Sequence, residues 1–250
     1  MQKKLTQMLH MKQEPVGIYF GNTTAVCDLD ANPETRNCVI PFLMKVADGQ
    51  VISMDEKSCN CAGGATGCCF GDGFARWNPS ICKLLSQGYG EDAPEHMPEF
   101  MKEGERFFCT EEVAGRFVRA LPYSDKAYPR IVFAPMSRWD EIGEPDLVYL
   151  FVNPDQLGAL VSMLCSHNGE ITNTIAPYCS ACQSIMYGAQ QLEQERPMAV
   201  MGLFYISQRY KPLANLLSLT MPYPLWAGLT RDLEKSCLTT HSWRAIEKRL

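Results

Sequence analysis

The chain has 250 residues, of which 46% are hydrophobic and 20% charged, and its net charge at pH 7 is −5. This composition is ordinary for a globular protein that is long enough to bury a core. The negative charge argues against nonspecific nucleic-acid binding, which needs a basic surface.

The N-terminus and the apolar runs bear on where the protein resides. The first ten residues carry two lysines but no apolar stretch behind them, so they do not form a signal peptide. The longest apolar run, 198–206, is too short to span a bilayer. We therefore expect a cytoplasmic protein without nucleic-acid or membrane partners.

Four segments have the apolar, β-branched or aromatic character of strands. They are 15–20, which Gly21-Asn22 closes, 128–135, 147–152 and 198–206. Because 147–152 is apolar at every position, we expect it to be buried on both faces of a sheet. The openings Glu14-Pro15-Val16 and Arg196-Pro197-Met198 resemble each other, which suggests an internal duplication.

Helices are marked by their end signals. Asn153 as N-cap, Pro154 at N1 and Gln156 at N3 predict a helix that ends at Asn168-Gly169. Comparable signals predict helices that begin near Asn78-Pro79-Ser80, Cys38, Thr110 and Ser180, and a last helix that holds Trp243 and Ile246. Strands and helices mix without strict alternation, and no linker divides them. The predicted fold class is α+β, one domain over 1–250 with a mixed β-sheet flanked by helices.

Twelve cysteines need an explanation, and the densest group lies in a predicted loop at 53–74, here called the cysteine–glycine segment. Without a signal peptide, so many cysteines point to metal, cluster or redox chemistry rather than to disulfides. We expect the isolated Cys109, Cys165 and Cys237 to be small buried hydrophobic residues.

Within the cysteine–glycine segment, residues 59–73 hold four cysteines and five glycines. Thiolates that converge on one volume suit Zn²⁺ or an iron–sulfur cluster, and glycines leave backbone N–H groups free to bond the sulfurs. The spacing matches neither a zinc ribbon nor the common ferredoxin run, so the metal stays open. The predicted metal ligands in this segment are Cys59, Cys61, Cys68 and Cys69, and the predicted cofactor-binding glycines are Gly63, Gly64 and Gly67.

A second candidate site is the pair Cys179 and Cys182, a Cys-x-x-Cys at the predicted start of a helix. The helix dipole there favours thiolate, so we expect at least one of the two pKa values to fall. We expect this pair to complete the metal site as its opposite wall, and the alternative is two packed core cysteines. For His167 we expect a simple role at a helix C-terminus, where a cation suits the dipole.

The chain resembles an uncharacterised family called "domain of unknown function 169". The residues that carry the resemblance are Glu14-Pro15-Val16, Cys38 with Ala47-x-Gly49, the cysteine–glycine segment, Gly104-Glu105-Arg106-Phe107, 129–135, Asp146-Leu-Val with 153–156, 177–182 and Ser207-x-Arg209. The resemblance implies a one-domain cytoplasmic protein of bacteria or archaea. It brings no activity, but it directs attention to Cys38, the cysteine–glycine segment and the Cys179 region as parts of one site.

The function expected first is therefore a cysteine-ligated metalloprotein, holding an iron–sulfur cluster for electron transfer or small-molecule redox chemistry. A module that binds a small molecule or cofactor, with incidental thiols, is the alternative, and a structural Zn²⁺ protein is a third reading. A thiol–disulfide oxidoreductase ranks last, because it needs Cys179 or Cys182 exposed with a low pKa. The expected partners are a redox protein or a small molecule, and homo-oligomerisation is left open.

Overall fold

One mixed β-sheet organises the residues that the computed structural model describes, which are 1–21, 26–32, 34, 38–59, 61–76, 79–123, 128–209 and 211–250, without the side chains of residues 76, 92 and 211. In chain order, strands β1 to β8 are Val16–Phe20, Leu29–Asp30, Ile52–Asp55, Arg130–Pro135, Leu147–Val152, Thr174–Ile175, Ala199–Gly202 and Leu217–Pro222. Their order across the sheet is β2-β3-β4-β1-β5-β8-β7-β6. The pairs β2/β3 and β6/β7 are parallel, and the other pairs are antiparallel.

The helices fill the connections between these strands. In chain order, α1 to α12 are Gln2–Met8, Val39–Ala47, Ala62–Gly67, Gly73–Arg76, Ser80–Leu85, Glu99–Glu103, Glu111–Ala120, Trp139–Ile142, Pro154–Asn168, Gln183–Gln191, Tyr223–Arg231 and His241–Ile246. The predicted capping box of α9 is confirmed, since Asn153 and Gln156 bond each other reciprocally and Gly169 ends the helix in the left-handed region. Asn22 and Asn78, named above in a strand end and a helix start, lie outside the described residues.

Side chains alternate along the central strands, so the sheet separates two hydrophobic cores, and a third cluster packs around α5 and α7. In β5, Leu147 and Tyr149 face one core, whereas Val148 and Leu150 face the other. Helices α2 and α10 cover the first face, and α1, α9 and α11 cover the second. The predicted single α+β domain, with helices on both faces of a mixed sheet, is confirmed.

The two halves of the sheet repeat one topology. The order β2-β3-β4-β1 in the first half corresponds to β6-β7-β8-β5 in the second, with the same parallel and antiparallel pairs, and the antiparallel β1/β5 pair joins them. Helix α2 links β2 to β3 as α10 links β6 to β7. Pro135 and Pro222 end the equivalent strands β4 and β8, and each precedes a buried tryptophan by four residues.

This repeat differs from the one that the sequence suggested. The segments 14–16 and 196–198 lead into β1 and β7, which are not equivalent, because the structural counterpart of β1 is β5. An approximate twofold rotation between β1 and β5 relates the halves, and it places α2 and α10 on the same face of the sheet. Among the described residues, no helix combines the length and the apolar character needed to cross a bilayer.

Candidate functional site

The sequence predicted a loop for the whole cysteine–glycine segment. The structure differs, because the segment contains the end of β3 and then helix α3. Cys61 caps α3 with extended backbone, and the helix itself contains three glycines. Glycine disfavours an isolated helix by about 1 kcal/mol per residue. Tertiary contacts must therefore hold α3, and these contacts explain its glycines.

Two of these glycines are needed because other parts of the chain lie against the helix. A Cβ at Gly67 would lie 2.4 Å from the carbonyl carbon of Cys182, and a Cβ at Gly64 would lie 2.9 Å from Cys59 Sγ. Protein atoms thus already occupy the space beside Gly64 and Gly67. A Cβ at Gly63 would meet the Phe74 ring at an ordinary 3.5 Å. Gly63, by contrast, borders an open cavity.

The end of α3 sends its two adjacent cysteines into different cores. Phe70 N–H donates to Ala65 O and Cys69 N–H donates to Thr66 O, which is the Schellman arrangement. Cys69 takes the left-handed position of this motif, with φ at 59°, where glycine is usual. As a result Cys68 packs in the core beneath α2, whereas Cys69 packs near Phe74 in another cluster.

The predicted second wall is present in part. Ser180 N–H donates to Gln183 Oε1, and Gln183 N–H donates to Ser180 Oγ, so the predicted capping box is formed at the start of α10. The distance from Cys182 Sγ to Gly63 O is 3.3 Å, so Cys182 contacts α3. Cys179 instead directs its Sγ to Met201 O, at 3.6 Å, and packs against β7.

The pKa values of the buried thiols run opposite to the expectation for a helix start. Burial raises the pKa of Cys179 to about 12 and that of Cys182 well above the usual thiol range. Burial likewise raises the pKa of Cys59 and Cys69 to about 12, and it raises that of Cys68 well above the usual thiol range. Desolvation outweighs the dipole here, and these thiols are neutral at pH 7. Cys179 and Cys182 are both buried, so neither is the exposed cysteine of low pKa that the thiol–disulfide oxidoreductase reading needs.

The electrostatic influence of one thiol on the pKa of another shows which cysteines are neighbours. Burial has the largest effect. In addition, Cys61, Cys38 and Cys59 all raise the pKa of Cys182, and Cys59 and Cys182 raise that of Cys68. We call this group the cysteine cluster, and its members are Cys38, Cys59, Cys61, Cys68 and Cys182. It contains four of the six predicted ligands together with Cys38. Nevertheless, within the described residues, no set of three or more His, Cys, Asp or Glu side chains is placed to hold a metal ion.

The topological repeat gives two members of the cluster equivalent positions. Cys38 immediately precedes α2, and Cys182 immediately precedes α10, its counterpart in the second half. The N-termini of two equivalent helices thus meet near the axis that relates the halves. Sequence reasoning left the role of Cys38 open, since no local pattern connects it to Cys182.

Three other cysteines lie at positions that the sequence did not predict. Cys109 and Cys165 are exposed, and Cys237 is only partly buried, so the expectation that all three are buried is wrong. The reason is local. Cys109 lies immediately before the Thr110 cap of α7, outside the helix. Cys165 follows the inward-facing Leu164 in α9, so its side chain lies toward the exposed face of that helix.

A cavity of about 590 Å³ opens on the outer side of α3, next to the cluster member Cys61. Its walls are mostly apolar and include Phe74, Ile81, Leu84, Leu85, Phe107 and Tyr205. Its polar lining consists of serine and glutamine side chains and one carboxylate, that of Glu105. Sequence reasoning missed this cavity, although Gly104-Glu105-Arg106-Phe107 was noted for the family resemblance.

Aromatic rings form the far wall of this cavity. The ring centroids of Phe107 and Tyr205 are 4.6 Å apart, and those of Tyr205 and Tyr178 are 5.2 Å apart. Phe108 and Phe117 extend the group behind Tyr178. The Tyr205 hydroxyl is buried without a hydrogen-bond partner of good geometry among the described residues, although the nearby Gln183 side chain acts to lower its pKa. Burial dominates and raises the Tyr205 pKa far above its ordinary value.

Backbone bonds hold Glu105 and Phe107 against the end of α5. Glu105 N–H donates to Leu84 O at 2.6 Å, and Phe108 N–H donates to Leu85 O at 3.1 Å. Gly104 makes this attachment possible, because its φ is +70° and a Cβ there would lie 2.3 Å from Gly88 N. Glu105 is consequently half-buried, and desolvation raises its pKa, an effect that the nearby Ser207 hydroxyl partly offsets.

His167 has a simple structural role in addition to its predicted position in the last turn of α9. Its Nδ1 lies 2.5 Å from Asp232 Oδ2, so it ties α9 to the segment after α11. The opposite edge of the ring lies against Gly228, where a Cβ would be 2.5 Å from Nε2. The ring therefore has protein on both edges.

Fold and site together define a one-domain α+β protein with a repeated sheet, a buried cysteine cluster and an adjoining apolar cavity. The chain belongs to the family DUF169, described as "Uncharacterised ArCR", whose family model matches residues 4–227. No curated protein and no solved structure gives a significant match to it.

Proposed function

We propose that this protein binds a small organic molecule or cofactor in the cavity beside α3. The observation that carries the proposal is the cavity itself, about 590 Å³ with mainly apolar and aromatic walls. Ligand pockets usually measure about 300–1,000 Å³ and combine apolar walls with a few polar groups. Glu105, Ser207 and Gln208 supply such groups on one side.

The way in which the walls are held also supports binding. Phe74 and Ile81 come from α4 and α5, Phe107 from the segment attached to α5, and Tyr205 from the chain after β7. Backbone bonds fix the segment of Phe107 against α5, and a ring contact joins Phe107 to Tyr205, which is distant from it in sequence. A preformed pocket loses little conformational entropy when a ligand binds.

The proposal can be tested with N-phenyl-1-naphthylamine, a neutral dye whose fluorescence rises in apolar surroundings. We expect one dye to bind per chain, with fluorescence saturating on titration. The variant Gly63→Leu places a side chain at the cavity and should weaken binding by at least about tenfold, which is about 1.4 kcal/mol. Gly158→Leu is the matched control, because Gly158 is also helical and has no atom within 4 Å of an added Cβ.

The outcomes separate clearly. Saturable binding that Gly63→Leu weakens and Gly158→Leu preserves supports the cavity as the ligand site. Absence of dye binding to the wild-type protein, or equal binding by Gly63→Leu and wild type, contradicts the proposal. Circular dichroism and thermal unfolding of each variant would show whether lost binding reflects lost structure.

A second candidate function is the predicted metal or cluster site, now centred on the cysteine cluster. The observation that favours it is the pair Cys38 and Cys182, which immediately precede the equivalent helices α2 and α10, since helix N-termini stabilise negative charge such as that of a thiolate-ligated cluster. The Cys59, Cys61 and Cys68 side chains would have to turn toward this pair to complete the ligand set, because no three described side chains are placed to hold a metal as they stand. Thiolates of this kind suit an iron–sulfur cluster or Zn²⁺.

Metal analysis of anaerobically purified protein, together with its visible spectrum, tests this second candidate. Iron with acid-labile sulfide and a visible charge-transfer band would support a cluster, whereas stoichiometric zinc in a colourless protein would support structural Zn²⁺. Cys182→Ser should abolish metal content in either case, and the exposed Cys165 gives the control Cys165→Ser. Protein free of both iron and zinc would rule the candidate out.

A further inference from the structure

The cavity beside α3 has an uneven charge distribution. Among its described lining residues, Glu105 is the only one with a formal charge, and no lysine, arginine or histidine lines it. A carboxylate in mostly apolar surroundings is costly unless a cation or several donors accompany it. The cavity therefore presents one negative group that the described lining does not neutralise.

The basic residues near Glu105 in the sequence are engaged elsewhere. Lys102 Nζ lies 3.8 Å from Glu99 Oε2, and Arg106 Nε donates to Glu103 O. No ion pair joins Glu105 to any side chain that the structure describes. Burial raises the pKa of Glu105, as it does for a carboxylate that lacks a cationic neighbour.

Aromatic faces accompany this carboxylate. Phe107 is two residues from Glu105, and its ring centroid is 4.6 Å from that of Tyr205. An organic cation is attracted to ring faces within about 6 Å, and the attraction grows when water is excluded. A carboxylate and tilted aromatic rings that line one cavity are complementary to an ammonium group attached to an apolar body.

From these contacts we infer that the ligand of the cavity is an organic cation: an amine or quaternary ammonium compound whose charge meets Glu105 and whose apolar body lies among Phe74, Phe107 and Tyr205. The inference rests on the proposed ligand-binding function and specifies its ligand class. A volume of about 590 Å³ suits a cation with one or two rings.

Three naphthalene compounds of the same ring size test the inference by displacing N-phenyl-1-naphthylamine. They are 1-naphthylmethylamine, which is cationic at pH 7, the neutral 1-naphthylmethanol and the anionic 1-naphthylacetate. For the wild-type protein we expect the amine to displace the dye at about tenfold lower concentration than the alcohol, with the acid weakest. Glu105→Gln should remove this preference while dye binding persists. Glu103→Gln, which changes an exposed carboxylate in the same segment, should retain it.

Each result bears on one of the two proposals. If the dye binds but the alcohol competes as well as the amine, the cation inference is overturned and the cavity proposal stands. The cation inference is also overturned if Glu105→Gln keeps the full preference for the amine. If the dye does not bind at all, both proposals fail. The wild-type series decides the question even if Glu105→Gln does not fold.

Discussion

Replacing Gly67 with alanine tests the contact on which the candidate site is built, the close approach of α3 to the start of α10. The added Cβ would lie 2.4 Å from the carbonyl carbon and 2.5 Å from the carbonyl oxygen of Cys182. Both are backbone atoms, so no side-chain rotation can relieve the overlap. Helix α3 would have to move by about 1 Å to restore ordinary contact, since a normal contact is about 3.5 Å.

The size of the effect follows from two opposing terms. Overpacking a well-filled core costs about 1–3 kcal/mol, while alanine gains about 0.5–1 kcal/mol over glycine inside a helix. Gly63→Ala is the matched control in the same helix, because its Cβ meets only the Phe74 ring at 3.5 Å. The propensity gain largely cancels between the two variants, so Gly67→Ala should be less stable than Gly63→Ala by about 1–3 kcal/mol.

Urea unfolding under reducing conditions measures this difference as a shift in midpoint at an unchanged slope. Gly63→Ala should unfold at or slightly above the wild-type midpoint, and Gly67→Ala clearly below it. If the two variants unfold within about 0.5 kcal/mol of each other, the reasoning from close packing is refuted. In that case α3 does not lie against the start of α10 as described, and the cysteine cluster loses its structural basis.

Three further outcomes are expected. Gly104→Ala should destabilise more than Gly90→Ala in thermal unfolding, because both have positive φ but only Gly104 would also clash with backbone, and equal effects would contradict this. Asp155, whose pKa is held low by its bidentate pair with Arg249, should contribute stability above about pH 4 that is lost as pH falls through its lowered pKa. Asp155→Asn should therefore flatten the acid limb of stability against pH, and an unchanged limb would refute the assignment. Iodoacetamide at pH 7 should modify exposed cysteines first and leave Cys68 unmodified in the native protein, as peptide mass mapping would show; early labelling of Cys68 would contradict its burial.

The local sequence was sufficient for half of the described elements, since it predicted four of the eight strands and six of the twelve helices. The apolar run 147–152 predicted a strand buried on both faces, and β5 has these bounds. Asn153 and Gln156 predicted the start of α9, and their reciprocal bonds are present. Such predictions succeed because capping and periodicity depend on neighbours within a few residues.

Predictions failed where desolvation or tertiary contact outweighed a local rule. The helix start predicted a lowered pKa for at least one of Cys179 and Cys182, but burial raises the pKa of both. The glycines of residues 59–73 predicted a loop, yet residues 62–67 form helix α3. Gly64 and Gly67 are glycines because other parts of the fold pack closely against the helix at these two positions. Neither burial nor these partners can be read from residues that lie close in sequence.

By itself, the sequence determined that this is one α+β domain of the DUF169 family and that its cysteine–glycine segment is unusual. Only the tertiary structure decided which cysteines meet, since Cys38 and Cys182 become neighbours through the pairing of β1 with β5 and the repeated topology of the two halves. The cavity beside Glu105 likewise exists only where separate elements pack together. The physical reason is the same in both cases. Strand and helix signals are encoded within a few residues, whereas a site is formed by side chains that long-range packing brings together.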